Sequence, residues 1–388
     1  MIPRPGDAAA AVAGIAAAAL LGGVSAFLSI LFFEGGGAVH QWLGIAPDEN
    51  GARNPWILVL APAVAGIICA VIKNYTGVFY GLADTMLTAQ RGETQPRRAA
   101  VLSVAASFAA FGGGASVGQY GPVGHLGGLV GGWFGRFWER GVGPACGVAA
   151  AIAAAFNAPV TGLLFAHEVI LRRYSANIAA PVAISAIVGW AVSVNVFNRP
   201  AFLSIGEMRS VTPPDILLFG GLGIIFGVLS ALYLRAIFAL LKILAPRPAL
   251  PLLAGAGAVC GMLWLLAPEA AGGGRELLRA AVENDITASS AAAAGIVKVA
   301  ATILCLGAGF AGGIVSPTLV IGAMAGAVCA SFAAAAGIYD GPAFVPVICG
   351  MMAFTAPAIG APLTGILFVL ELSGGNYPLT IAASLSVA

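Results

Sequence analysis

The chain has 388 residues, 60% of them hydrophobic and only 9% charged, with a net charge of +2 and a mean hydropathy of +0.97. A soluble domain carries ~25% charged residues, so this sequence lacks the polar surface to face water on all sides. The net charge says little by itself, and no nucleic-acid partner is expected.

Apolar runs dominate from the beginning. The first covers 8–33, with no charge after Asp7. It is longer than the roughly 7–15 residues of a signal-peptide core and many similar runs follow, so a membrane segment is expected rather than a cleaved leader. Further runs cover 55–72, 99–134, 142–170, 178–196, 216–244, 250–268, 288–338 and 342–368. A spanning helix needs about 20 apolar residues; several runs suffice for two passes, and roughly ten or more membrane segments are predicted. Between the first two runs, 34–53 reads as a loop with three acids and a single arginine. Arg91, Arg97 and Arg98 cluster in one later loop, and Arg172 and Arg173 in another. The positive-inside rule puts the amino terminus, 90–98 and 171–176 on the cytoplasmic side and 34–54 outside. Cys69, Cys146, Cys260, Cys305, Cys329 and Cys349 all fall in apolar runs without metal-site spacing, so they read as buried small hydrophobes and no metal or cofactor is expected.

The sequence repeats itself. NAPVTGLLFAHEV at 157–169 returns as GAPLTGILFVLEL at 360–372, with Ala, Pro, Thr, Gly, Leu, Phe and Glu at matching places. Before each copy stands a second pair: GQYGP at 118–122 followed by Gly127, and GIVSP at 313–317 followed by Gly322. Gly112 and Gly114 match Gly307 and Gly309 at the same offset. Two related halves, about 8–197 and 215–388, are therefore predicted within one transmembrane domain. An odd number of passes per half makes the repeat inverted, and many transporters bind their substrate at mid-membrane between such halves.

The Gly-x-x-x-Pro pairs suit an anion. Charged side chains are costly in a bilayer, whereas the unpaired N–H groups and dipole of a helix amino terminus supply positive potential without them. Proline fits the first turn of a helix, and the preceding glycines let the backbone turn and approach an ion. The bland alternative is that Gly and Pro are simply common in membrane helices and serve close packing.

At these residues the chain resembles the CLC family of chloride channels and chloride/proton exchangers. GGGASVGQYGP (112–122) is similar to the family's GSGxSxGREGP, and AAAFNAPVTGLLFAHEVI (153–170) to its FNAPxAGxLFxxEE helix. GGIVSP (312–317) resembles GGxFxP, and GAPLTGILFVLELSGGNYPL (360–379) resembles its late APLTGxxxxxEMTxNY segment. The resemblance implies an all-α polytopic membrane protein of tilted and broken helices in an inverted repeat. It also implies a homodimer with one anion path per subunit, in the lipid bilayer of a bacterial inner membrane, with no regulatory domain expected. It assigns the backbone N–H groups of Ile314 and Val315 to a central anion site, and those of Gln119, Tyr120 and Gly121, with Ser316, to an outer one.

The departures from the family are as informative. Its gating glutamate, which competes with chloride and carries the proton, is replaced by Tyr120. A phenol of reference pKa ~10 does not exchange protons usefully near neutrality. Either its hydroxyl donates a hydrogen bond to the anion or plugs the path, or the ring packs aside and leaves the path open. The exchangers' inner proton glutamate directly follows the helix's first glutamate; here that first one is Glu168 and the next residue is Val169. The early filter segment is degraded, with Tyr80 standing where the family has serine and Gly81-Leu82-Ala83-Asp84 aligned to its end. The family's late pore tyrosine is expected beyond Tyr377, so either a last helix is missing after Ala388 or the protein does without it.

Among the other ionisable residues, Glu168 and Glu371 share a repeat position that suits capping or pairing, with a proton relay through Glu168 as the sharper reading. His125, one turn beyond Pro122, and His167 each read as a satisfied buried histidine or as a pH modulator. Asp84 either caps a short helix or repels anions at the inner mouth. The reading is a passive, proton-uncoupled anion channel or uniporter, chloride first. Its rivals are an exchanger with relocated acids, a CLC-like transporter of fluoride or nitrate, and a non-conducting scaffold sealed by Tyr120. An intramembrane enzyme is not expected, because no nucleophile–base pair is visible.

Overall fold

The computed structural model describes residues 5–47, 53–93, 95–203, 205–206 and 210–387, and among them every extended element is a helix. In chain order these are α1 (Pro5–Leu43), α2 (Pro55–Thr76), α3 (Leu82–Arg91), α4 (Arg97–Gly112), α5 (Tyr120–Trp133), α6 (Val142–Phe156), α7 (Pro159–Phe165) and α8 (Ala176–Asn195). There follow α9 (Pro213–Leu244), α10 (Ala249–Trp264), α11 (Arg275–Val282), α12 (Ala288–Ala308), α13 (Val315–Ala335), α14 (Phe344–Ile359), α15 (Pro362–Leu372) and α16 (Tyr377–Val387). Six of the described helices (α1, α2, α8, α9, α12 and α13) are long and apolar enough to cross a bilayer, and shorter apolar helices stand between them. Of the cysteines, five are buried and Cys329 is half-buried, all as free thiols.

The long apolar runs break where glycine, proline or asparagine permits. The run 142–170 splits at Asn157, whose φ of 55° is left-handed, and Pro159 opens α7. Its repeat splits at Gly360, φ 65°, and Pro362 opens α15. Asparagine is among the few side chains that tolerate this conformation. Here its amide donates to the carbonyls of Arg199 and Pro200 at 3.0 and 2.7 Å. After Phe165 the helix widens into a π-helical turn, Ala166–Leu171, which has no equivalent in α15.

One expectation needs correction. The segment 34–43 is not a loop; α1 continues through it to Leu43. Gly35 and Gly36, inside this stretch of helix, serve packing. A Cβ on Gly35 would stand 3.2 Å from the Phe108 ring, and one on Gly36 would collide with Phe111. Residues 48–52 of that predicted loop lie outside the described residues.

By contact the chain forms two compact units whose segments alternate along the sequence. The first comprises 1–34, 80–104 and 120–202; the second comprises 35–79, 105–119 and 203–388. Each contains a tight helix pair built on glycine. In the first, α5 and α6 cross at Gly127, Gly131, Gly143 and Gly147, where each added Cβ would strike the opposite backbone. In the second, α13 and α14 cross the same way at Gly322, Gly326 and Gly350. Lipid tails are as apolar as leucine, so such close backbone packing, not hydrophobic burial, drives membrane helices together. The repeat also extends to hydrogen bonds: Ser185 Oγ donates to Cys146 O at 2.9 Å, and Ser386 Oγ to Cys349 O at 3.3 Å. Gly147→Ala would set its Cβ 2.6 Å from the Gly127 carbonyl carbon. It is expected to cost about 1–3 kcal/mol of stability, read as a lower thermal midpoint in detergent; an unchanged midpoint would contradict the close crossing.

Candidate functional site

The two Gly-x-x-x-Pro turns meet through their backbones. Gly118 N–H donates to Gly313 O at 2.6 Å and Gly313 N–H donates to Gly118 O at 2.8 Å, an isolated antiparallel bridge. The lead-ins match as well, since Gly114 and Gly309 hold left-handed φ values of 79° and 91°. A Cβ on Gly118 would stand 2.7 Å from Gly313 O and 3.0 Å from Pro317 Cδ, so only glycine fits. Helices start directly after the bridge, α5 at Tyr120 and α13 at Val315. The first-turn amides of such helices have no intrahelical acceptor, and Pro317 has no N–H to leave unpaired.

Within the second unit, side chains brace these turns. Ser116 and Thr302 hydroxyls are hydrogen-bonded at 2.8 Å, and Trp264 Nε1 donates to Gly114 O at 2.9 Å. Ser316 Oγ donates to Gly273 O at 2.9 Å. The Gln119 side chain borders the same glycine, with Oε1 3.6 Å from where a Gly273 Cβ would lie. Gln119 and Ser316, which the family resemblance assigns to one site, thus converge on a single segment, 270–274. Ile314 and Val315 lie between the bridge and Ser316.

The remaining sequence-derived candidates, beginning with Tyr120 and continuing to Gly121, belong to the first unit. Tyr120 is 5% exposed, and its ring stacks on Phe156 with centroids 4.2 Å apart. Phe33 tilts against it at 5.6 Å and Phe202 meets it edge-on at 6.4 Å. The Arg199 guanidinium flanks this aromatic nest, 5.3 Å from the Phe33 centroid and 3.6 Å from a Glu34 oxygen. Tyr80 is half-buried, and its N–H donates to Ser103 Oγ at 2.9 Å. Asp84 Oδ2 accepts the Gly81 N–H at 2.8 Å, a capping role at the start of α3. His125 is buried in α5 with Nδ1 2.8 Å from Thr85 Oγ1. His167 Nδ1 lies 3.0 Å from Leu163 O, and its ring stacks on Tyr174 at 5.8 Å. Glu168 sits in the first turn of the π-helical segment. Outside the membrane segments, burial pushes the Tyr174 phenol above its ordinary value, with the nearby Glu168 charge adding to the shift.

Sequence reasoning overlooked the phenylalanine nest, Arg199 and, above all, Lys298, which is 1% exposed. A signal for it existed: Lys298 is the lone charged residue between Ala288 and Ile338, and an intramembrane charge is a functional candidate by default.

Apolar helices interrupted at paired glycine–proline turns define a polytopic, all-helical membrane protein with broken helices at its core. The family described as "Voltage gated chloride channel" matches residues 87–388. The chain belongs to this CLC family. It is 30% identical over 292 residues to the H(+)/Cl(-) exchange transporter ClcA of Cronobacter sakazakii, an alignment covering 70% of this chain and 61% of that protein. The chain therefore spans about six-tenths of the length of that relative. Among solved structures it is similar to a slow cyanobacterial Cl-/H+ antiporter, with a TM-score of 0.84 and 22% identity over 96% of this chain and 92% of that one. It is also similar to a CLC-type fluoride/proton antiporter, with a TM-score of 0.78 and 19% identity over 99% of this chain and 96% of that one.

Proposed function

We propose that this chain passes chloride or a similar small anion across the bilayer passively, without moving protons in exchange. The observation that carries the proposal is the two-bond bridge between Gly118 and Gly313, from which two helices begin in matched positions. Helix beginnings attract an anion through N–H dipoles and spare the chain the cost of a charged side chain in lipid. Several weak sites in series let the ion leave as readily as it enters. Ile314, Val315, Ser316 and Gln119 are the groups proposed to bind it; Tyr80, Tyr120 and Gly121 join them on the family resemblance alone. A homodimer in a bacterial inner membrane is the assembly proposed.

The relatives' names speak of exchange with protons. This chain carries Tyr120 and Val169 where the resemblance expects the two proton-handling glutamates, and that departure supports the uncoupled reading. One observation favours a second reading, exchange through relocated groups. The Nε2 atoms of His125 and His167 are buried without a hydrogen-bond partner, and His167 adjoins Glu168 in the chain. Purified protein in liposomes, followed for chloride and proton movement together, separates the two. The expected outcome is chloride efflux with no stoichiometric proton uptake and only weak dependence on pH between about 5 and 8. Stoichiometric proton movement, abolished by Glu168→Gln while chloride flux remains, would instead establish exchange. Replacing chloride by fluoride or nitrate in the same assay fixes the preferred anion.

A further inference from the structure

α12 carries one charge, Lys298, and encloses it fully. Its Nζ donates to Ala270 O at 2.9 Å and to Gly272 O at 2.6 Å, and lies 5.0 Å from the Trp264 ring centroid. None of the ion pairs among the described residues involves it. An ammonium buried among neutral acceptors is expensive to keep, more so at membrane depth. A residue held at such cost, with no ion-pair partner among the described residues, places a positive charge in the interior of the second unit.

The groups it binds connect it to both turns. Ala270 and Gly272 belong to the short segment between α10 and α11, where Gly272 and Gly274 adopt φ values of 68° and 72°. The His40 ring backs this segment, its Cε1 2.8 Å from where a Gly272 Cβ would lie, and is itself held to Phe111 O at 2.7 Å. Gly273, next in line, accepts the Ser316 hydroxyl and borders Gln119. On its own helix, Lys298 O accepts Thr302 Oγ1 at 2.7 Å, and Thr302 in turn holds Ser116. The ammonium thus bears on Ser316 and Gln119 through the 270–274 segment, while the link to Thr302 and Ser116 runs from the Lys298 backbone and is independent of the side chain.

We propose that Lys298 is a positioning residue and the fixed counter-charge of the transported anion: it clamps segment 270–274 against Ser316 and adds the whole positive charge that helix dipoles lack. The inference rests on the anion-transport reading above and deepens it. Lys298→Met keeps the length of the side chain but removes the charge and both donated bonds; Lys298→Arg keeps the charge. In liposomes, half-saturating chloride is expected to rise about tenfold in Lys298→Met, the size typical of residues coupled to a site without touching it, with maximal flux nearly unchanged. Lys298→Arg is expected to recover most of the affinity. A lysine needed only for folding would lower the thermal midpoint and the maximal flux while half-saturation stayed put, and that result overturns the inference. Should Lys298→Met not fold, Ser316→Ala severs the same connection at its far end and must raise half-saturating chloride several-fold; no rise overturns the inference equally. Wild-type liposomes without chloride flux sink the transport reading and this inference together. Wild-type flux with unchanged half-saturation in the variants sinks this inference alone.

Discussion

Gly118→Ala is expected to reduce chloride flux by roughly tenfold or more while the protein still inserts and purifies as a stable species. The added methyl would lie 2.7 Å from Gly313 O, 3.0 Å from the Gly313 carbonyl carbon and 3.0 Å from Pro317 Cδ. Two of these neighbours are backbone and the third is a proline ring, so no side chain can swing away. Overpacking of this kind costs about 1–3 kcal/mol, and relief comes by parting the two turns, which forfeits one or both bridge bonds. Each such bond is worth about 1 kcal/mol net, and 1.4 kcal/mol is a factor of ten in an equilibrium. Because the cost falls on the turns from which α5 and α13 start, flux suffers before global stability does. Gly132→Ala is the control, since nothing lies within 4 Å of the Cβ it would add near the end of α5; its flux should match wild type. Wild-type flux from Gly118→Ala would detach the bridge from function.

Much of this molecule is legible in its sequence, for physical reasons that also explain the remainder. Apolar runs announce membrane helices because lipid tolerates few charges. The runs 99–134, 142–170, 288–338 and 342–368 were long enough for two helices, and each breaks at a Gly, Asn or Pro that the sequence displays. The repeat predicted which positions would match, and the bridge joins two of them. Glycine itself was ambiguous. At Gly114, Gly309 and Gly360 it turns the chain, whereas at Gly35 and Gly36 it stays helical so that the rings of Phe108 and Phe111 can approach. Composition is identical in both uses; only the partner, distant in sequence, decides. The same holds for Phe33, Phe156 and Phe202, which are scattered along the chain yet gather on Tyr120. Lys298 was visible as a charge, but its neutral carbonyl partners were not, because backbone acceptors carry no sequence signature. The alternation of segments between the two compact units follows from tertiary contact alone.

Tyr120→Glu is expected to convert a flux that barely responds to pH into one that falls as pH rises. The new carboxyl would enter a nest of Phe33, Phe156 and Phe202, where the tyrosine ring is now 5% exposed. Burial disfavours the charged form of a carboxylic acid, lifting its pKa above the reference value of about 4.3 and toward the physiological range. Below that raised pKa the side chain is neutral and leaves the anion alone. Above it, a carboxylate forms, repels chloride and competes for the same N–H groups, so flux is lost with rising pH. The measurement is chloride efflux from liposomes across about pH 5 to 8, with proton movement recorded alongside. Val169→Glu, added to Tyr120→Glu, restores the second carboxylate that the family resemblance expects, and proton uptake should then accompany chloride exit. Tyr120→Phe is the internal reference: it keeps the ring and its stack on Phe156 and adds no carboxyl, so its pH profile should stay as flat as that of the wild type. Tyr120→Ala removes the ring and should cost about 3–5 kcal/mol, the usual figure for emptying a buried aromatic site. A pH-independent Tyr120→Glu protein with wild-type flux would mean that no anion passes close to residue 120, and the ring nest would then be packing alone.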